Sequence, residues 1–123
     1  MPLPGEVQDT VTLTVAINGT KSTGGLIDNC SEIGLIVPAI VSGTVTVQVS
    51  ETDMDANYVG LTNQAGTAIL VAAASTGSFA FSGNELGAAL PYKYIRVVCG
   101  ATQTTTARLF TLKRKWVGMQ RVG

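Results

Sequence analysis

The residues that could do chemistry in this chain are few, and their spacing limits what that chemistry would be. There is no histidine, which removes the usual general base, the centre of a catalytic triad and the commonest metal ligand. Asp53, Asp55 and Asn57 stand at alternate positions after Glu51, like the opening of a calcium loop. Such a loop wants glycine at its sixth position and glutamate at its twelfth, and here those are Tyr58 and Gln64. A solvated loop between two strands is expected instead. Lys113-Arg114-Lys115-Trp116 joins positive charge to a stacking ring, the elements of a nucleic-acid contact. On a strand, however, two of the three basic residues would simply face solvent. A sugar platform needs aromatic faces, and Trp116, Tyr58, Tyr92 and Tyr94 are the only Trp or Tyr residues. No Gly-x-Ser-x-Gly, P-loop or Gly-x-Gly-x-x-Gly pattern occurs. No catalytic residue, cofactor or metal is therefore assigned, and an enzyme is not expected.

Charge is more informative than any of these motifs. Residues 1–85 hold all eight carboxylates, Glu6, Asp9, Asp28, Glu32, Glu51, Asp53, Asp55 and Glu85, against Lys21 alone. Residues 86–123 hold seven basic residues, Lys93, Arg96, Arg108, Lys113, Arg114, Lys115 and Arg121, and no carboxylate. The formal net charge of zero hides this asymmetry, which speaks about partners rather than fold. Two arrangements fit it. Either the halves interleave and neutralise each other locally, or the molecule has an acidic and a basic face suited to head-to-tail packing or to an acidic surface.

At 123 residues, 46% hydrophobic and 13% charged, the chain suits one domain with a real core and is not of disordered composition. The low charge also suggests an outside partly covered by neighbours. The longest apolar runs, 35–41 and 68–74, fall far short of the roughly 20 residues that span a bilayer, so no membrane is expected. The opening Met1-Pro2-Leu3-Pro4-Gly5-Glu6 lacks the pattern of a secretory leader, so a cytoplasmic site of synthesis and assembly is expected. Cys30 and Cys99 are then expected as free thiols, and the Asn18-Gly19-Thr20 and Asn29-Cys30-Ser31 sequons carry no meaning.

The elements that would position all this have period two. Val11, Leu13, Val15 and Ile17 alternate with Thr12, Thr14 and Ala16, and Asn18-Gly19 follows as a turn. Val45, Val47 and Val49 alternate with polar residues, as do Phe79 and Phe81. Ile95, Val97 and Cys99 share one face of another segment. Residues 108–113 form a last one, with Leu109 and Phe110 on opposite faces. Less regular apolar runs lie at 26–27, 33–37, 58–61 and 69–72. Gly-rich breaks about every ten residues separate them. About eight short strands with such turns predict an all-β fold, a single antiparallel β-sandwich or jelly roll. Residues 84–90 are the one place for a helical turn. The sandwich is placed at residues 9–112, between an extended arm (1–8) and a basic tail (113–123).

Two stretches together resemble a known family. One is Val41-Ser42-Gly43-Thr44-Val45-Thr46-Val47-Gln48-Val49-Ser50-Glu51-Thr52-Asp53, leading to Tyr58-Val59-Gly60-Leu61. The other is Leu90-Pro91-Tyr92-Lys93-Tyr94-Ile95-Arg96-Val97-Val98-Cys99-Gly100. They resemble small tailed-bacteriophage virion proteins with a β-sandwich, and more loosely galactose-binding-like jelly rolls. Met54 stands where that pattern has glycine after Asp53. The resemblance implies a virion component that decorates or cements a capsid, or sits at the head–tail joint. Its partners would be the major capsid protein or another virion protein, with copies of itself in an oligomer or lattice, and not nucleic acid. The contacts expected are Pro2, Leu3 and Pro4 of the arm, with Lys113, Arg114, Lys115, Trp116, Val117, Met119 and Arg121 of the tail. Leu3, Trp116, Val117 and Met119 would be the apolar anchors. The rival is a carbohydrate-binding module using Tyr58 or Tyr92.

Overall fold

Successive side chains of a strand point to opposite sides, and in this chain one side of each main strand is apolar. The computed structural model describes residues 7–38, 40, 44–62, 70–73, 79–82 and 89–116, with backbone pairing alone for 70–73 and 79–82. In β1 (Val7–Val15), Leu13 and Val15 are buried while Thr12 faces out. In β5 (Thr44–Ser50), Val45, Val47 and Val49 are buried. In β9 (Tyr94–Gln103), Ile95, Val97 and Cys99 are buried, and in β10 (Arg108–Trp116), Phe110 and Leu112. Leu109, on the opposite side from Phe110, is 57% exposed. The remaining strands are β2 (Gly19–Lys21), β3 (Gly25–Leu26), β4 (Glu32–Val37), β6 (Val59–Gly60), β7 (Leu70–Ala73) and β8 (Phe79–Ser82). The only helical element among the described residues is a 3-10 turn at Asp55–Asn57.

Two antiparallel sheets result. The first has the order β1-β10-β4-β8. In the second, β9 and β5 are central; β2 and β3 share the free edge of β9, and β6 and β7 share the free edge of β5. Counting each shared edge as one position leaves, among the described residues, eight strand positions in chain order. First then pairs with last (β1·β10), second with seventh (β2 and β3 with β9), third with sixth (β4·β8) and fourth with fifth (β5 with β6 and β7). That is one long hairpin wound around a barrel axis. The winding adds the pairs β10·β4 and β9·β5, and the fold is a jelly roll.

The inner faces meet in one core. Leu13, Val15, Leu35, Val37, Phe110 and Leu112 come from the first sheet, and Val45, Val47, Val49, Ile95, Val97 and Cys99 from the second. Each large side chain buried there contributes about 1.5–3 kcal/mol.

Three expectations are corrected. The alternation starting at Val11 does not carry Ile17 inward. The chain leaves β1 at Val15, Gly19 N–H bonds the Ala16 carbonyl at 2.9 Å, and Asn18 takes φ 67°. This turn leaves Ile17 outside. The arm drawn at residues 1–8 overlaps β1, whose Val7 and Gln8 pair with Trp116 and Lys115. The tail drawn at 113–123 overlaps β10. Residues 113–115 lie inside the sheet, between β1 and β4, and Trp116 still pairs with β1, because the ladder needs backbone groups and not apolar side chains.

Candidate interface at the end of the last strand

The basic cluster of β10 is divided by strand alternation. Arg114 and Trp116 lie on the same side as Phe110 and Leu112, and Lys113 and Lys115 on the other. Arg114 donates from Nε and Nη2 to the two carboxylate oxygens of Asp9, at 2.8 and 2.6 Å, and from Nη1 to the Leu26 carbonyl at 2.7 Å. Its guanidinium also lies 5.0 Å from the Trp116 ring centre. Trp116 packs against the core, and its indole N–H reaches the Asp28 carbonyl at 3.3 Å. The Lys115 carbonyl accepts from both the N–H and the hydroxyl of Ser31. Three consecutive residues thus hold the chain between β3 and β4. The Arg114 hydrogen bonds keep the Asp9 carboxyl below its ordinary range. The guanidinium and indole that would have combined charge with stacking are therefore committed within the molecule. Pro2, Leu3, Pro4, Val117, Met119 and Arg121 lie outside the described residues.

The outward members of the cluster lie on the outer face of the first sheet. Lys115 lies between Gln8 and Glu32, Lys113 between Thr10 and Gly34, and Thr111 between Thr12 and Ile36. Leu109 lies beside Thr14. A recess of about 230 Å³ is lined by Gln8, Glu32, Gly34, Lys113 and Lys115, with Ile33 and Arg114. The face is threonine-rich, mildly basic, and carries exposed Leu109 and Ile36.

The outer face of the second sheet was not anticipated. Arg96 points outward from β9 and yet is only 5% exposed. Residues 51–58 fold over it. Arg96 donates to Gln48 Oε1 at 2.8 Å and to Asp55 Oδ1 at 2.7 Å, and lies 4.1 Å from the Tyr58 ring centre. The Tyr58 hydroxyl donates to Asp53 at 2.7 Å, and Lys21 also approaches Asp55, at 3.7 Å. The Asp-x-Asp-x-Asn spacing thus makes a loop whose carboxylates answer Tyr58, Arg96 and Lys21. The Arg96 hydrogen bond lowers the Asp55 pKa; burial raises that of Tyr58. The only legible sign in the sequence was an arginine at an outward position of a strand with a neutral face. Tyr58 is only 8% exposed, so it offers no sugar platform. Tyr92, 36% exposed, lines a cleft of about 250 Å³ with Val49, Ser50, Glu51, Thr52, Asn57 and Val59.

Among the described residues the two halves of the charge distribution interleave. Asp9 meets Arg114, Glu32 meets Lys115 at 3.8 Å, and Asp55 meets Arg96. Cys30 and Cys99 are both buried and unbridged. Burial pushes the Cys30 thiol up to about 11 and raises Cys99 as well. No helix among the described residues is long and apolar enough to cross a membrane.

No protein-family model matches this chain, and no curated protein matches it by sequence. Among solved structures it is similar to a chain of Bacillus endospore appendages, described as a family of disulfide-linked pili. The identity is 15% and the TM-score 0.47, covering 91% of this chain and 88% of that one. It is also similar to a chain of infectious bursal disease virus, Gx strain. There the identity is 16% and the TM-score 0.40, over 92% of this chain and 33% of that one. At these values neither protein's role carries over.

Proposed function

We propose that this protein is a non-enzymatic structural component of a virion, present in many copies. Its most specific form would be a decoration or cement protein on the capsid of a tailed bacteriophage. The observation that supports it most is the outer face of the first sheet. Lys113 and Lys115 stand there among threonines with exposed Leu109 and Ile36. Such a surface suits lateral contact with an acidic protein patch, through buried area and charge complementarity. The two stretches that resemble phage virion proteins supply β5 and β9, the paired centre of the opposite sheet, so they bear on the scaffold and leave the first sheet to do the docking. A place at the neck or tail is the alternative within this class.

The test is binding to capsids purified without the protein. Lys113→Glu with Lys115→Glu should weaken binding, mostly at low salt, because exposed charges are screened over roughly 10 Å at 0.1 M. Melting temperature should fall only slightly, through the loss of the Lys115–Glu32 pair, since surface pairs of this kind contribute about 0–1 kcal/mol. Capsid binding that is absent in the native protein, or indifferent to both substitutions at low salt, would count against the proposal.

One observation favours a second reading. The cleft beside Tyr92 sets an aromatic wall against Glu51, Thr52 and Asn57, a combination suited to a sugar ring. Glycan-array binding abolished by Tyr92→Ala would favour a carbohydrate-binding module.

A further inference from the structure

The free edge of β1 has a feature that the rest of the fold does not require. In an antiparallel ladder, alternate residues direct both backbone groups to the same neighbour. On β1, Thr14 exchanges bonds with Thr23 on the side away from β10: Thr23 N–H to the Thr14 carbonyl at 3.0 Å, and Thr14 N–H to the Thr23 hydroxyl at 3.0 Å. By that alternation Thr12, Thr10 and Gln8 also direct N–H and C=O outward, while Val7, Asp9, Val11 and Leu13 bond to β10. Among the described residues nothing pairs with those three outward positions. An exposed edge of this kind is normally blunted by proline, an inward charge, lysine or a bulge. From Val7 to Val15 there is no proline or lysine, and the register with β10 runs without a shift. The one charge on it, Asp9, is already held by Arg114.

We infer that two copies of this chain pair antiparallel through the β1 edges, centred on Thr10, to make one continuous sheet across a two-fold axis. The self-complementarity of the segment identifies the occupant. Thr23 already covers Thr14, so the open stretch is 7–13, and its midpoint is Thr10. Centred there, Gln8 faces the partner's Thr12 and Thr10 faces the partner's Thr10. Each such pair exchanges two main-chain hydrogen bonds, which makes six for the three pairs. On the other side of the sheet Asp9 faces the partner's Val11, so no like charges stand opposite each other. Threonine against threonine is a favourable cross-strand pair. The two Lys113 side chains stand three strand spacings apart, roughly 14 Å, beyond the screening length of about 10 Å at 0.1 M salt. The threonine-rich outer face would then run unbroken over eight strands. This pairing does not depend on which larger body the protein joins, and the purified full chain alone reveals it.

The experiment is sedimentation equilibrium of the full chain and three variants. Thr10→Pro removes a donor that β10 does not use, at an edge position where proline is tolerated. It should weaken dimerisation by about tenfold or more, since a loss of 1.4 kcal/mol is tenfold. Thr10→Lys and Thr10→Glu each set like charges across the axis and should weaken it as well. Mixed together, they should form a heterodimer, because Thr10 faces itself only in this register. Circular dichroism shows which variants are folded, and the charged pair tests the pairing even if the proline variant does not fold. A wild-type chain that is monomeric up to its solubility limit overturns the inference. So does a dimer that the charged variants leave intact, or a Lys and Glu mixture that stays monomeric.

Discussion

Arg114 and Asp9 stand 105 residues apart in the chain and are joined by two parallel hydrogen bonds, one from each of two guanidinium nitrogens to each carboxylate oxygen. The same guanidinium holds the Leu26 carbonyl. A residue expected to reach outward to a partner instead ties together the first strand, the last strand and β3 of the opposite sheet.

Replacing Arg114 with alanine should therefore lower stability by about 1–2 kcal/mol, measured by urea unfolding. Lysine should rescue little of it, because one ammonium cannot make the two-pronged contact. Substituting Lys113, exposed on the same strand, should have almost no effect.

The Arg114 hydrogen bonds depress the Asp9 pKa on folding. A carboxylate of this kind contributes stability that is complete above its unfolded value and is lost as pH falls through the lower folded one. The gap in stability between the native protein and Asp9→Asn should thus be full at neutral pH. It should shrink once pH drops below the ordinary value of 3.8. A gap that stays constant from pH 7 to pH 3 would refute this.

How much was legible can be judged residue by residue. Val45, Val47 and Val49 announce a strand because their partners in the core are generic: any apolar surface opposite will serve. The same holds for Leu13, Val15, Ile95 and Val97, and the all-β sandwich follows from them. Lys113, Arg114 and Lys115 hide the end of β10, because their inward member is neutralised by a carboxylate near the other end of the chain. Arg96 is hidden for the same reason, its partner Asp55 lying 41 residues away. The strands β2 and β3 are too short to show any period. Specific polar pairing at long range leaves no local trace, while apolar burial does.

Gly24 gives a sharp test of the loop over Arg96. A Cβ added there would run into the Tyr58 hydroxyl and the Asp53 carboxylate. Gly24→Ala should cost about 1–3 kcal/mol by overpacking, and Tyr58→Phe should recover part of that loss in the double variant. Additive effects in a double-mutant cycle would show that the close approach is not what matters.

Thr105 sits at φ 76° in the turn between β9 and β10. A left-handed conformation costs an L-residue roughly 1–2 kcal/mol, and a β-branched one has no local relief. Thr105→Gly should raise the melting temperature despite the added freedom of the unfolded chain, for a net gain of about 0.5–1 kcal/mol. A lower melting temperature would mean that the threonine side chain makes up for its backbone.

Both thiols are buried and their pKa values raised, so at neutral pH neither is a thiolate and neither is accessible. A thiol reagent should label the native protein slowly and both cysteines at once on unfolding. Rapid labelling of Cys30 in the folded protein would show that the loop held by Arg114 and Trp116 opens freely.

The nesting of the strands also governs how the chain is made. A ribosome releases β1 first and β10 last of the described strands, yet β10 lies between β1 and β4. Until residue 116 has emerged, β1 and β4 border a gap that no earlier segment fills, and the apolar side chains of both lack their neighbour. Pairings this distant also close slowly, because the loop entropy falls due before any contact repays it. The emerging chain therefore carries naked strand edges until residue 116 is out, a period in which collisions with other copies lead to aggregates. Its many threonines and few charges make that interval, more than the finished molecule, the point at which this protein is most exposed to loss.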